Sequence, residues 1–249
     1  LEAEFRAQIA SARAIMLSSK SSRAECEKYY PRNRERIRVV PFAADLPPEA
    51  LSVEFADAVR RHDLPQEYFY LPNQIWAHKN HRVVIEALTI LLERGVSITV
   101  AASGALADYR RPGRLRDLEA RVVELGLQER FRFLGLIPRA DVYALMRNAV
   151  AVINPSLSEG WSTAVEEARS LGAPMVLSDI EVHREQAAGC AVFFDPHSPL
   201  AAARAIEAAV AAARAGGTRE SAASLARDNE HRMRAYAWKF EAGLAEVSA

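Results

Sequence analysis

From residue 68 onward, short apolar segments alternate with amphipathic ones, and this alternation limits the fold more than any other feature. Short apolar runs bounded by turn residues indicate buried strands, and apolar residues at helical spacing indicate helices. The predicted strands cover residues 68–71, 97–101, 131–134, 150–153, 174–177 and 191–194. The predicted helices between them cover residues 81–94, 115–125, 139–146, 164–171 and 182–187. Strands that alternate with helices predict an α/β fold, a parallel sheet with helices on both faces.

The residues on either side of the alternating pattern predict accessory parts. Residues 1–44 have the pattern helix, strand, helix, strand, at residues 1–13, 14–17, 20–30 and 37–41. This piece is too small to bury its own core, so we interpret it as the truncated end of another α/β domain with a linker. Residues 45–230 form the main predicted domain, with further helices at residues 50–61, 200–214 and 220–227. A last amphipathic helix, within residues 231–249, should pack its aromatic side chains against a neighbouring domain.

Composition excludes several classes of function. Acidic and basic residues balance at 32 each, so no overall field favours binding to nucleic acid. No apolar run has the length of a membrane span, and no signal peptide is recognisable. Cys26 and Cys190 match no metal-binding or redox spacing, which favours unpaired thiols in a reducing cytosol. The chain begins at Leu1 rather than Met, so we expect a fragment of a longer protein.

The stretch VAVINPSLSEGWSTAVEEARSLGAPMVLSD, residues 150–179, has the pattern of a binding site. An apolar strand leads into a loop that carries Glu159, at the kind of strand end where ligands of parallel sheets bind. The helix that follows leaves the backbone N–H groups of residues 161–164 without helical partners, and these groups could hold a phosphate. Ser162 or Thr163 should cap this helix, and Thr163 with Glu166 has capping-box spacing.

The residue pattern alone leaves two interpretations of these carboxylates open. Glu159 and Glu167 are eight residues apart, one in the loop and one about a turn into the helix. In the functional interpretation, both face a ligand at the strand ends. In the structural interpretation, Glu166 and Glu167 complement the helix dipole, and Glu159 is a solvated loop carboxylate.

The histidines predict no metal site. His78 and His81 are three residues apart, but His81 should begin a helix, and further ligands are missing nearby. His183 is interpreted as loop polarity, although a loop after the preceding strand could border the binding site. Four clustered arginines predict a solvated face or, alternatively, contact with an anionic lipid or a charged acceptor: Arg110, Arg111, Arg114 and Arg116.

The segment P-S-x-x-E-G-W-S-x-x-x-x-E-A, residues 155–168, resembles the E-x7-E motif of family 4 glycosyltransferases. The sequence G-A-P-M-V-L-S at 172–178 is similar to the G-x-P-V-V-x-S that follows the motif in that family. Trp161 and Ser162 stand where the family usually has Phe and Gly. The family consists of retaining, nucleotide-sugar-dependent enzymes of the GT-B fold.

Other landmarks follow in the family's order and extend the resemblance over roughly residues 14–240. Lys79 resembles the lysine that follows the first strand of the family's C-terminal domain. F-L-G at 133–135, with Ile137, resembles the loop that holds the base of the sugar donor. Glu185, Gly189 and F-D-P at 194–196 resemble the late E-x-x-G…D-P segment.

The resemblance implies the Rossmann-like, C-terminal half of a GT-B fold, with residues 1–44 as the end of the acceptor domain. Residues 231–249 would cross back onto that domain. Glu159 and Lys79 are the implied catalytic residues. The implied residues for binding the sugar donor are Asn73, Gln74, Gly104, Leu136, Ile137, Gly160, Trp161, Ser162, Thr163, Ala164 and Glu167.

The resemblance also assigns roles within this set. Lys79 and the helix start would hold the diphosphate, Glu167 the ribose hydroxyls, and Glu159 the donor sugar near its reacting end. The family's first-strand arginine aligns with Gln74. The Gln74 side chain is neutral and lacks the paired N–H donors of a guanidinium. No D-x-D pair occurs in the chain, so we expect neither a metal nor another cofactor.

The expected function is therefore transfer of a hexose, with mannose among the candidates, from a nucleotide sugar with retention of configuration. The expected partners are that sugar donor, a saccharide or lipid-linked acceptor, and the missing N-terminal domain, in synthesis of polysaccharide or glycolipid. Nucleic acid is not an expected partner. A cytoplasmic location, with peripheral contact at the inner membrane face, would suit this role. The alternatives are a non-catalytic nucleotide-sugar-binding module and a GT-B-type sugar-nucleotide epimerase or phosphorylase.

Overall fold

The computed structural model describes residues 2–47, 50, 54–187, 189–216 and 221–248. Its helices are α1 (Glu2–Ser11), α2 (Lys20–Tyr29), α3 (Phe55–Arg61), α4 (His81–Glu93), α5 (Arg114–Glu124), α6 (Arg139–Asn148), α7 (Thr163–Ser170), α8 (Glu181–Ala187), α9 (Pro199–Arg214) and α10 (Ala222–Ser248). Its strands are β1 (Ile15–Leu17), β2 (Ile37–Val39), β3 (Phe69–Leu71), β4 (Val100–Ser103), β5 (Phe131–Gly135), β6 (Val152–Asn154), β7 (Met175–Ser178) and β8 (Ala191–Phe194).

Six of these strands form one parallel sheet in the order β5-β4-β3-β6-β7-β8. The chain builds outward from β3 through β4 to β5, then returns to β6 on the other side of β3. Because all six strands run in one direction, their carboxyl ends meet at a single edge of the sheet. The order reverses between β3 and β6, and ligands of such sheets bind in the crevice at that point.

The two faces of the sheet are covered by different helices. Phe69 and Leu71 face a cluster built with α4, α5 and α9, whereas Tyr68 and Tyr70 face a cluster built with α3, α6 and α7. This division follows from the strand geometry, because successive side chains point to opposite faces. The parallel sheet with helices on both faces is therefore confirmed.

The buried tyrosines find partners for their hydroxyl groups. Tyr68 Oη donates to the Leu145 carbonyl at 2.8 Å, and Tyr70 Oη lies 2.6 Å from Ser103 Oγ. A buried hydroxyl without a partner would destabilise the core, so these two bonds allow tyrosine at fully buried positions.

The N-terminal segment has the predicted order of helix, strand, helix and strand. β1 and β2 pair in parallel as a separate two-stranded sheet. The segment contacts the main sheet through α2, whose first N–H group, from Lys20, donates to both carboxylate oxygens of Glu185 at 2.9 and 3.3 Å. Both cysteines are unpaired, as predicted. The division of the chain into domains stays a prediction.

Several predicted boundaries are wrong. The strand expected at 97–101 is β4, shifted toward the carboxyl end to Val100–Ser103. The helix expected at 50–61 begins at Phe55, and residues 48–49 and 51–53 lie outside the described residues, as does Glu220. The two tail helices expected at 220–227 and within 231–249 are one helix, α10.

The continuity of α10 has a physical cause. No Gly or Pro interrupts residues 227–233. Ion pairs between residues four apart also stabilise this part of the helix, among them Asp228–Arg232 at 3.0 Å and Glu230–Arg234 at 2.6 Å. Arg232 also reaches α7, where it contacts Glu166 at 2.7 Å and Ser170 Oγ at 2.9 Å.

Glu166 is a buried carboxylate, with 2 % of its surface exposed. Burial raises its pKa above the ordinary value, and the charges of Arg232 and Arg169 oppose that rise. The pair therefore contributes little net stability, but it removes an otherwise large cost of burying the carboxylate.

We expect Arg232→Met to lower the free energy of unfolding by about 2 kcal/mol, since it leaves the Glu166 carboxylate buried without its guanidinium partner. The pKa of Glu166 in the folded chain should then rise further. Glu166 then binds a proton more readily in the folded state than in the unfolded state. The loss of unfolding free energy relative to the wild type should therefore be larger at pH 8 than at pH 5. Urea unfolding at both pH values measures this difference.

The double variant Glu166→Gln with Arg232→Met serves as the control. Because it removes the buried charge together with its partner, it should recover part of the loss and most of the added pH dependence. Equal deficits at pH 5 and pH 8 in the single variant would contradict the interpretation of Glu166 as a buried, charged group.

Candidate active site

The crevice lies at the carboxyl ends of β3 and β6, and an ion pair joins the loops that follow these strands. Lys79 Nζ donates to Glu159 Oε1 at 2.6 Å, and the two side chains are 15 % and 9 % exposed. Lys79 ends a short 3₁₀ turn, Ala77–Lys79. The structure thus brings together the two residues that the sequence resemblance names as catalytic, although they are 80 positions apart.

Other bonds hold the same two loops in register. Asn80 adopts a left-handed conformation, with φ of 52°, and its side-chain amide donates to the carbonyls of Pro155 at 3.2 Å and Pro196 at 2.8 Å. The N–H group of Leu157 donates to the His78 carbonyl at 2.7 Å. Lys79 is therefore presented by a turn that is bonded on both sides.

Buried polar side chains form a hydrogen-bond network that includes Glu159. Asn73 Nδ2 donates to Asn154 Oδ1 at 3.1 Å, and Asn154 Nδ2 donates to Ser162 Oγ at 2.8 Å. The Ser156 hydroxyl lies 2.7 Å from Asn154 Oδ1 and 2.7 Å from Glu159 Oε1. Sequence reasoning missed Asn154 and Ser156. The available signal was a polar residue, Asn154, directly after a wholly apolar strand.

The start of α7 differs from the predicted capping box. Ser162 is the N-cap residue, but its side chain accepts from Asn154 rather than from the helix. The Gln186 side chain instead bonds both backbone groups of Ser162, each at 2.9 Å. Glu166 pairs with Arg232, so the Thr163–Glu166 box does not form.

This arrangement determines which N–H groups remain for a ligand. Of the four groups expected at residues 161–164, that of Ser162 is occupied by Gln186. Those of Thr163 and Ala164 have no hydrogen-bond partner within the described residues. Thr163 is exposed and Ala164 buried. The helix start therefore still offers unpaired donors next to Glu159.

Trp161 and Gly160, in the Glu159 loop, contact the N-terminal segment before residue 45. Trp161 Nε1 donates to the Phe42 carbonyl at 3.0 Å, and the two rings meet edge to face with centroids 6.4 Å apart. Ser22 Oγ donates to the Gly160 carbonyl at 3.4 Å. The side chain of Trp161 thus ties the Glu159 loop to the segment before residue 45.

Glu167 lies apart from the Lys79–Glu159 pair, against Arg139 at the start of α6. Its Oε1 accepts from Arg139 Nη2 at 3.2 Å, and its side chain is 13 % exposed. Burial raises the pKa of Glu167, and the charge of Arg139 opposes that rise. The carboxylate therefore stands at the rim of the crevice, with one oxygen engaged by a mostly exposed arginine.

The loops after β4 and β5 complete the same edge. The Gly104 N–H group donates to the Gly135 carbonyl at 2.9 Å, and both glycines have positive φ. Leu136 is 82 % exposed, whereas Ile137 packs against the second core cluster. Gln74 is exposed and makes no side-chain hydrogen bond within the described part of the chain.

The histidines serve the structure in two different ways. His81 begins α4, as predicted, and is fully buried; Nε2 donates to the Asn73 carbonyl at 3.1 Å, and burial lowers its pKa to about 3. The prediction for His183 is wrong, because it is buried in α8 rather than set in a loop. Its Nδ1 donates to the Ser178 carbonyl at 3.0 Å, and burial lowers the pKa of His183.

The four clustered arginines do not form a uniformly solvated face. Arg110, Arg111 and Arg116 are exposed, but Arg114 is partly buried, and its Nε donates to the Ile75 carbonyl at 3.0 Å. Across the described ranges, no group of three or more His, Cys, Asp and Glu side chains could hold a metal ion. None of the described helices is both long enough and apolar enough to cross a membrane.

The model of the glycosyl transferases group 1 family matches residues 52–228, which is more than half of the chain. The chain belongs to the group 1 glycosyl transferases. The matched residues contain Lys79, Glu159 and Glu167, and so include every element around the crevice.

Curated relatives show weaker similarity over longer chains. The O-antigen chain mannosyltransferase RfbU of Salmonella typhimurium is 26 % identical over 58 % of this chain and 38 % of its own length. A D-inositol 3-phosphate glycosyltransferase of Salinispora tropica is 27 % identical over 92 % of this chain and 49 % of its own length. The chain therefore spans less than half of each of these relatives.

A solved structure shows the same fold. Anabaena Alr3699/HepE, in complex with UDP and glucose, superposes with a TM-score of 0.76 at 16 % identity, over 97 % of this chain and 65 % of that one. At this identity the likeness shows the fold alone, and that fold agrees with the expected Rossmann-like architecture.

Gly104 provides a test of how closely the crevice loops approach each other. Its φ is +138°, and a Cβ atom there would lie 2.8 Å from the Gln74 nitrogen and 2.9 Å from the Asn73 carbonyl. We expect Gly104→Ala to lower the free energy of unfolding by about 3 kcal/mol, from strain and overlap with backbone together. Urea unfolding measures this loss.

Gly95→Ala is the matched control, because Gly95 also has positive φ, +75°, but nothing lies within 4 Å of an added Cβ. It should lose only about 1 kcal/mol, from backbone strain alone. Similar losses in the two variants would show that the close approach at Gly104 is not tight in solution.

Proposed function

We propose that this chain is the donor-binding part of a nucleotide-sugar-dependent hexosyltransferase that retains the configuration of the transferred sugar. Membership of the group 1 family supports the reaction class. The observation that carries the proposal is the Lys79–Glu159 ion pair at the point of strand reversal, beside the unpaired N–H groups of Thr163 and Ala164.

These groups suit a donor diphosphate. A lysine ammonium and the N-terminus of a helix both stabilise negative charge, and the diphosphate gains charge as it leaves the sugar. In the free chain, Glu159 neutralises Lys79 at 2.6 Å. When a diphosphate enters, Lys79 can exchange this carboxylate for a phosphate oxygen, and Glu159 is then available to the sugar.

The other residues named by the resemblance suit the nucleoside. Glu167, at the rim, would accept hydrogen bonds from the two ribose hydroxyls once Arg139 gives up its oxygen. The backbone around Gly104 and Gly135, with Leu136 and Ile137, would contact the base. Gly104 and Gly135 both have positive φ. Because glycine has no side chain, the backbone at these positions can approach a ligand closely.

The proposed chemistry uses Lys79, Glu159 and the start of α7. The bond between the anomeric carbon and the diphosphate oxygen breaks, and the acceptor hydroxyl forms its bond to the same face of that carbon. The acceptor proton passes to an oxygen of the departing diphosphate. Lys79 and the α7 start stabilise the leaving charge, and Glu159 stabilises the positive charge that develops on the sugar.

The biological setting is a further part of the proposal. Relatives such as the O-antigen chain mannosyltransferase RfbU support a role in surface polysaccharide or glycolipid synthesis, with mannose as one candidate sugar. The acceptor would bind between this part and the N-terminal domain that the resemblance implies. A cytoplasmic site of action and independence from metal ions complete the proposal.

Lys79→Met and Glu159→Gln should separate binding from transfer. Lys79→Met removes the charge that faces the diphosphate, so we expect affinity for UDP or GDP to fall about tenfold or more. Glu159→Gln removes a negative charge near the phosphates, so nucleotide affinity should not fall. Calorimetric titration of the 249-residue chain with each nucleotide measures both effects.

Transfer is measured with the intact natural protein, using GDP-mannose and UDP-glucose. Glu159→Gln should lower the rate about a hundredfold or more, as expected when a group that stabilises transition-state charge is lost. Undiminished transfer by this variant would overturn the assigned role of Glu159 and favour a different catalytic group.

The raised pKa of Glu167 predicts a pH dependence of nucleotide binding. A glutamate with a raised pKa loses its charge at a higher pH than an ordinary one, so affinity should begin to fall sooner as the pH is lowered from 7 toward 5. Titrations of the wild type and of Glu167→Gln measure this, and their comparison cancels the titration of the phosphates. Parallel pH profiles of the two proteins would contradict the ribose-binding role.

A further inference from the structure

The crevice lacks a charge at the position where the resembling family carries an arginine. Gln74 occupies that place, and its neutral, exposed side chain has no partner within the described residues. A diphosphate carries more negative charge than Lys79 alone can neutralise. A second cation from another loop would complete the site.

Arg110, in the loop after β4, is held in a defined position beside the loop after β3. Its guanidinium lies over the ring of Trp76, 5.5 Å from the centroid, and over the ring of Tyr109, at 5.2 Å. Its Nε donates to Tyr109 Oη at 2.9 Å. Arginine stacked on two rings keeps its charge but loses part of its freedom of motion, so less entropy is lost when it binds an anion.

The loop that carries Arg110 is fastened to the turn that carries Lys79. Asp108 is buried, and its two carboxylate oxygens accept from the N–H groups of Arg110 at 3.0 Å and Ala77 at 3.3 Å. Arg114, from the same region, bonds the Ile75 carbonyl at 3.0 Å. Movement of one loop relative to the other would break these bonds, so the loops that carry Arg110 and Lys79 keep their relative positions.

The charge of Arg110 is available to a ligand. No carboxylate lies within ion-pair distance of its guanidinium in the described part of the chain, and the nearby carboxylate of Asp108 accepts from backbone groups. The positive charge of Arg110 also acts on His78, which is next to Lys79. Burial is the largest cause that lowers the pKa of His78, and the charges of Lys79 and Arg110 both lower it further.

We propose that Arg110 supplies the second positive charge that binds the donor diphosphate, in place of the arginine that Gln74 replaces. This inference rests on the proposed function, because it assigns a ligand to the same crevice. Arg110 is then a binding residue for the sugar donor, contributed by the loop after β4 instead of the loop after β3.

The test compares UDP with UMP, and GDP with GMP, by calorimetric titration of the 249-residue chain. Arg110→Gln should weaken diphosphate binding about tenfold and monophosphate binding less, because the lost contact is with the diphosphate. The double variant Arg110→Gln with Gln74→Arg should regain most of the affinity, because the charge returns from the other loop. Arg111→Gln is the matched control, an exposed arginine next in sequence, and should bind like the wild type.

The outcomes separate this inference from the proposed function. Wild-type affinity in Arg110→Gln would overturn the inference, as would equal losses for diphosphate and monophosphate. A loss of the same size in Arg111→Gln would also overturn it, since it would indicate only the general field of the arginine cluster. If the wild-type chain binds none of the four nucleotides, the proposed function fails and this inference fails with it.

Discussion

The ion pair between Lys79 and Glu159 determines the geometry of the crevice. It spans the point where the strand order reverses, and both of its members are mostly buried. Removing two charges from water is costly, and only close pairing with further hydrogen bonds offsets that cost. The Ser156 hydroxyl donates such a bond to Glu159, and the Ser156 backbone N–H group donates to Asn154 Oδ1 at 3.3 Å. The loops after β3 and β6 are therefore bound to each other before any ligand arrives.

The neighbouring loops depend on the same arrangement. The loop after β4 approaches the loop after β3 through Gly104, and Asp108 bonds the backbone of Ala77. The side chains of Asn80 and Asp108 each bond the backbone of a neighbouring loop, so these links hold the loops in position without engaging Lys79.

The Glu159 loop also faces away from the crevice, toward the N-terminal segment. Trp161 bonds Phe42, and Ser22 bonds Gly160, so one short loop contacts both the proposed donor site and the residues before 45. The aromatic residue at position 161, where the resembling family has Phe, retains a ring but adds an N–H donor. This bond gives the departure at Trp161 a structural explanation.

The sequence by itself determined the order of helices and strands and the parallel sheet, and it named Lys79, Glu159 and Glu167 as candidate site residues. Apolar periodicity and turn residues act locally, so they can be detected within ten or fifteen positions. The resemblance added the roles, which local patterns do not contain. Element ends were predicted less accurately. α10 was wrongly divided although no Gly or Pro interrupts residues 227–233. The bonds of Arg232 to α7, which add to the pairs within the helix, span more than 60 positions.

Only the tertiary structure decided which groups meet. The capping box failed because Gln186 reaches Ser162, and His183 is buried because α8 packs it beneath the crevice loops. The cation that we propose as compensation for Gln74, Arg110, lies in the loop after β4 and stacks on Trp76 from the loop after β3. The physical reason is common to these cases: a polar side chain binds whichever partner the folded chain brings within about 3 Å, and this partner is often distant in sequence.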